Sequence, residues 1–275
     1  EPLMTLYLTD NTKPSEIDIV AQNKFVKALK YYPAGATTNS DCGVTDIKKI
    51  YSVLESMMKN RIPLLIHGEV TDTQVNVFDR EKVFIEKVLT PLVTDFCELK
   101  IVLEHISTKV AVDFISNANS NLAATITPQH ILLNRHDLFN ESFQPHNYCS
   151  PVLKEESDRL AVLSAATSGN SKFFLGTDSA PHDREKKESG CGCAGIFSAY
   201  NALGIYAEIF EKENKLDKLE AFASYYGADF YGLKRNDERI TLVKEEKKIP
   251  DELPFGSDKL VPFQAGKNCV WQVKY

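Results

Sequence analysis

Lys30, His67, His105 and Asp178 each stand at or near the end of a short apolar run: "VKALKYY" (26–32), "PLLIH" (63–67), "KIVLEH" (100–105) and "KFFLGTD" (172–178). Two imidazoles and a carboxylate suit zinc. A catalytic zinc takes about three protein ligands and a water whose pKa falls to about 7. A lysine ammonium has no lone pair to give. A carbamate formed on a neutral Lys30 would offer two oxygens and could bridge two metals, a step the residues alone do not establish. Singly, each residue has an ordinary structural reading: a hydrogen-bonded core histidine, a lysine snorkelling from a strand end, an aspartate capping a turn. Their joint occurrence at equivalent strand ends favours function.

The elements that would position them alternate. Strand-type runs recur at 2–8, 26–32, 63–67, 100–105, 122–127 and 172–178, separated by stretches of helical apolar spacing such as 44–60 and 79–96. Thr45 and Asp79 are the expected N-caps of those two helices. Such alternation implies parallel strands covered by helices, either a barrel or an open doubly wound sheet. In both, the carboxyl ends of all strands share one face, so the four residues can converge. No Gly-x-Gly-x-x-Gly follows the first strand, which removes the usual support for a dinucleotide fold. Six strands precede a helical tail (194–216 and 218–233), two fewer than a closed barrel requires. After Leu233, "RITLVKEE" and "NCVWQVKY" are expected as short strands joined by a Pro-rich, polar segment. The expected organisation is a barrel domain over 1–235 and an extension over 236–275.

With 32 basic and 38 acidic residues the chain carries a net charge of -6, and its cations are dispersed, which argues against a nucleic-acid partner. The apolar runs are strand-sized and the N-terminal stretch has no secretory pattern, so neither a membrane span nor a signal peptide is expected. Six scattered cysteines in a chain of 275 residues read as reduced thiols, and the expected location is the cytoplasm.

Five stretches, in order along the chain, resemble dihydroorotases of the bacterial single-function type, in the amidohydrolase superfamily. They are "KYYPAGATTNSDCGV" (30–44), "PLLIHGEV" (63–70), "LEHIST" (103–108), "AATITPQH" (123–130) and "FFLGTDSAPH" (173–182) followed by "KESGCGCAG" (187–195). The resemblance implies a (β/α)8 TIM barrel, entered here at its third strand. The first two strand–helix units, with a His-x-His, an arginine and an asparagine, are then absent from this chain. It also implies two zinc ions bridged by N-carboxylated Lys30. His67 and His105 would complete one zinc site; Asp178 would bind the other zinc and act as general acid/base. His182 and the Ala194 N–H would hold the substrate carboxylate. Thr37 and Thr38 would lie on a loop closing over the substrate, and the Ser150 backbone would touch its ring. Cys191 and Cys193 would be loop residues and not ligands.

The implied reaction is the zinc-dependent, reversible cyclisation of N-carbamoyl-L-aspartate to L-dihydroorotate with loss of water, a step of pyrimidine biosynthesis, in a homodimer. Two rivals stay open: another cyclic amidohydrolase of the hydantoinase or allantoinase kind, and a non-catalytic scaffold of the same fold. Glu69 and Glu104, beside candidate ligands, either orient them or are rim charges. His130, His136 and His146 are expected to be structural or solvent-facing.

Overall fold

The structure, a computed structural model, describes residues 2–190 and 192–274. The chain forms two compact units, Glu1–Thr125 and Ile126–Tyr275. Six strands, β1 (Met4–Leu8), β2 (Val26–Tyr31), β3 (Leu64–His67), β4 (Ile101–Glu104), β5 (Leu122–Ile126) and β6 (Phe173–Leu175), make one sheet in the order of the chain. The pairings from β1 to β5 are all parallel. Consecutive order with helical crossovers is the pattern of an α/β barrel wall, and it decides between the two architectures the sequence left open.

In the first unit the crossovers contain α1 (Pro14–Gln22), α2 (Tyr51–Asn60), α3 (Arg80–Phe84), α4 (Thr90–Asp95) and α5 (Lys109–Asn117). Val53, Leu54 and Met57 bury one stripe of α2, and Ala111 and Ile115 one stripe of α5, as a helix facing a sheet requires. Leu29, Leu64, Ile66, Val102 and Leu103 supply the sheet side of this core. Between α3 and α4, Ile85–Leu89 is a π-helical turn, so the expected helix over 79–96 is one run with a widened middle.

One of the two expected caps needs correction. Thr45 caps no helix: its hydroxyl and N–H both bond the Asp10 carboxylate, at 2.6 and 2.9 Å. Asp46 caps instead, accepting from Lys48 N–H at the head of a 3-10 turn, Ile47–Ile50, that leads into α2. Asp79 is in the N-cap position of α3 and makes no side-chain cap bond.

The second unit holds α6 (Pro128–Leu132), α7 (Glu156–Thr167), α8 (Arg184–Glu188), α9 (Ala202–Lys212), α10 (Leu216–Glu220) and α11 (Tyr226–Tyr231), with Tyr206, Phe210, Phe222 and Phe173 in its core. The helix expected from 194 begins only at Ala202. Residues 196–199 are bound elsewhere: the Ile196 carbonyl accepts from Ala180 N–H, and the N–H groups of Ser198 and Ala199 donate to Ser179 Oγ. The expected strand over 172–178 stops at Leu175, because the Thr177 carbonyl goes to the side chains of Gln129 and Ser198. Toward the C-terminus β7 (Thr241–Lys248) pairs antiparallel with β10 (Asn268–Lys274). A hairpin of β8 (Leu253–Phe255) and β9 (Asp258–Leu260) occupies the Pro-rich, polar segment that joins β7 to β10.

Candidate active site

The ladders of the first unit set the register of its chemistry. Lys30 is opposite Leu65, and His67, two residues beyond Leu65 on β3, is opposite Glu104. Side chains two apart on a strand share a face, so Lys30, His67 and Glu104 emerge on the same side. The Lys30 ammonium is paired with the Glu104 carboxylate and lies 4.7 Å from the centroid of the Tyr32 ring. That ring is 5.8 Å from the His67 ring.

His105 follows Glu104, and strict alternation would turn it to the opposite face. Its φ of 44° breaks the alternation. The turned backbone brings its ring to 4.8 Å from the His67 ring, edge-on at 60°. A non-glycine residue in the left-handed region is strained by about 1–3 kcal/mol and persists where neighbours enforce it. Here Thr125 Oγ1 accepts from His105 N–H at 2.8 Å, and the Thr125 carbonyl accepts from Ile106 N–H at 3.1 Å. One residue further on, the buried Glu81 carboxylate holds Ser107 through both its N–H and its hydroxyl.

Lys30, His67 and His105 are 9%, 1% and 4% exposed, too buried for solvent to satisfy their polar groups. Glu69, also buried, meets His67 Nε2 at 2.9 Å, which fixes that ring. Neutral imidazoles are donors that zinc accepts. Among the described residues no three or more His, Cys, Asp or Glu side chains form a metal-holding group.

Thr37 and Thr38 lie on a loop whose base is closed by Ala34 N–H to the Val44 carbonyl and Val44 N–H to the Tyr32 carbonyl. Ser40 braces it from within, its Oγ accepting from Thr37 N–H at 2.9 Å and donating to the Thr37 carbonyl at 2.6 Å. Thr38 is exposed and Thr37 half-buried.

In the second unit Asp178 follows β6 by three residues, is exposed, and like His105 has a left-handed backbone, φ 42°. His182 Nε2 donates to the Ala194 carbonyl at 3.0 Å. Burial holds the His182 imidazole below its usual pKa; the Ala194 carbonyl pulls the other way, and the cations Lys187 and Lys186 push it lower again. Gly195 takes φ 151°, and a Cβ there would come within 2.8 Å of both Ala180 and the His182 ring, so only glycine lets this loop approach. Ser150 is half-buried, and Cys193 is a free thiol. Cys191 lies outside the described residues. His130 is structural, bonded to Thr127 Oγ1 and the Pro151 carbonyl; His146 pairs with Glu188 near the surface.

Sequence reasoning passed over Tyr32, Glu81, Thr125 and Lys187, each of which holds a candidate residue or its loop. Lys187 sits in the charge run "REKKES" (184–189), which reads as a solvated helix face, and nothing in that pattern marks one lysine as buried.

A model of the amidohydrolase family matches residues 9–245. A dihydroorotase of Acaryochloris marina is 61% identical over 273 residues, covering 99% of this chain and 79% of the relative. The crystal structure of a Saccharomyces cerevisiae dihydroorotase in complex with 5-fluoroorotic acid superimposes with a TM-score of 0.91 at 35% identity, over 99% of this chain and 80% of that one. An L-hydantoinase of Arthrobacter aurescens matches with a TM-score of 0.78 at 14% identity, over 98% of this chain and 67% of that one, a likeness of fold alone. Matching in sequence along nearly its whole length, the chain belongs to the amidohydrolase family and, within it, to the dihydroorotases, which act on a cyclic amide.

Proposed function

We propose that the protein interconverts N-carbamoyl-L-aspartate and L-dihydroorotate, in pyrimidine biosynthesis, with two zinc ions bridged by carboxylated Lys30. The observation that carries this reading is the buried group of Lys30, His67 and His105 at one end of a parallel sheet, with His105 held in a strained conformation that turns it toward His67. When bound, zinc supplies a Lewis acid and a hydroxide available near neutral pH.

The remaining work falls to the chain. Lys30, once carboxylated, would hold the metal together with His67 and His105, and Glu69 keeps the His67 ring oriented. Asp178 takes the proton of the attacking water and passes it to the departing ring nitrogen; in the synthetic direction it returns it. His182 and the Ala194 N–H receive the substrate's carboxylate. Thr37 and Thr38 donate hydroxyl hydrogen bonds from a loop that shields the reacting centre from bulk water, and the Ser150 main chain contacts the ring.

The reading extends to a cytoplasmic homodimer with a small-molecule substrate and no nucleic-acid or membrane partner. Five described cysteines are free thiols, and no helix among the described residues is long and apolar enough to cross a membrane. A domain over 1–235 with an extension over 236–275 fits the change from parallel strands to antiparallel pairs between β6 and β7.

Ultraviolet assay of dihydroorotate hydrolysis, with zinc measured per chain, tests the proposal. Asp178→Ala is expected to abolish turnover while zinc stays at the Lys30, His67 and His105 site. Activity above about a tenth of wild type would refute the role of Asp178. A wild type that binds dihydroorotate and never turns it over would favour the scaffold reading.

A further inference from the structure

Lys187 is 4% exposed, and its ammonium donates to three main-chain carbonyls: Tyr148 at 2.7 Å, Cys193 at 2.9 Å and Gly195 at 2.7 Å. An ammonium has three N–H donors, so each is matched by one carbonyl. Two of these acceptors flank Ala194 in sequence. The third, Tyr148, also accepts from Gly195 N–H at 3.0 Å, so one lysine ties both ends of the turn to a neighbouring strand of chain. We propose that Lys187 is a positioning residue that locks the Cys193–Gly195 main chain, and through it Ala194 and His182, into the shape that receives the substrate's carboxylate.

Three further observations agree. The Ala194 carbonyl held between these anchors is the acceptor for His182 Nε2, so the clamp reaches the imidazole through one hydrogen bond. A Cβ added at Gly195 would come within 2.8 Å of Ala180 and the His182 ring, so the turn passes close beside them. Three carbonyl dipoles meet the cation directly, and burial pushes its pKa down to about 8, the mark of a charge kept in the interior at a cost. A buried positive charge under the turn also favours an anion above it.

The inference rests on the functional reading given above for His182 and Ala194, and its test separates the two. Lys187→Met keeps the stem and removes all donors. Amide exchange at Gly195 is expected to quicken at least about tenfold, and the KM for dihydroorotate to rise at least about tenfold, with kcat within about threefold and zinc content unchanged. Lys187→Arg, whose planar fork cannot aim at three carbonyls converging on one atom, should move both readouts the same way to a smaller degree, and it serves if the Met variant does not fold. Exchange at Gly195 equal to wild type in these variants, or faster exchange with unchanged KM, would overturn the assignment. A wild type without turnover would end the functional reading, and the exchange comparison would still decide whether Lys187 holds the turn.

Discussion

Replacing Thr125 by valine removes one hydroxyl from the candidate metal site at almost no change of shape. Thr125 is buried, and its Oγ1 is the acceptor, at 2.8 Å, for the N–H of the strained His105. Valine removes the acceptor of that buried N–H, a loss of about 1–3 kcal/mol. The strain of the left-handed backbone, of similar size, is then opposed by fewer contacts. Local opening at His105 should become easier by the same amount, so amide exchange there should quicken about 5- to 150-fold. If His105 is a ligand, zinc affinity should fall about 10- to 100-fold.

Serine is the control. Thr125→Ser keeps the acceptor and loses one methyl, about 1 kcal/mol of burial, so it should retain slow exchange at His105. Exchange measured on the segment 101–108 separates this local effect from global unfolding, which the sole tryptophan, Trp271, would report from the other compact unit. Exchange in Thr125→Val within twofold of wild type, or equally fast in the valine and serine variants, would refute the claim that this hydroxyl holds the turn.

Other outcomes follow from the second unit. Gly195→Ala places a Cβ 2.8 Å from Ala180 and the His182 ring, and should cost about 1–3 kcal/mol in thermal stability while weakening substrate binding more than kcat. His182, held below its usual pKa and already donating Nε2–H to Ala194, can donate to a carboxylate only through a protonated Nδ1. Binding of dihydroorotate, the proposed substrate, should therefore take up protons near pH 7 and weaken as pH rises; calorimetry in two buffers of different ionisation enthalpy would show no uptake if the ring binds neutral. For Lys187, with a folded pKa of about 8 against a usual lysine value of 10.5, the unfolded chain binds more protons between those two pH values. Stability relative to Lys187→Met should then rise with pH across that window, by at most about 1.4 kcal/mol per pH unit, and a flat difference would mean that the lysine is not desolvated.

The parallel strands were legible because buried β-type runs are punctuated by helical spacing, and the register of the chemistry followed: Lys30 is one residue from the end of β2, and His67 ends β3. His105 and Asp178, by contrast, lie past the last ladder bond of their strands, in backbone conformations that residue type does not announce. The Thr45 cap failed for a definite reason. Thr45 is a good capping residue, but Asp10, 35 positions away, takes its hydroxyl. The β8–β9 hairpin was within reach, since Phe255 pairs with Asp258 across Gly256–Ser257, a two-residue turn that glycine favours. Lys187 and Glu81 were not: a buried charge and a solvated one look alike in a string of letters, and only the neighbours tell them apart.

On the roles proposed for His105 and Asp178, their left-handed backbones set stability against chemistry. Glycine would sit more comfortably at either position, relieving roughly 1 kcal/mol or more of backbone strain, yet it would delete an imidazole or a carboxylate. Selection for a sturdier fold alone would erode both sites. Their retention is therefore expected to track demand for turnover, and a lineage released from that demand should drift toward glycine or asparagine at 105 and 178 first.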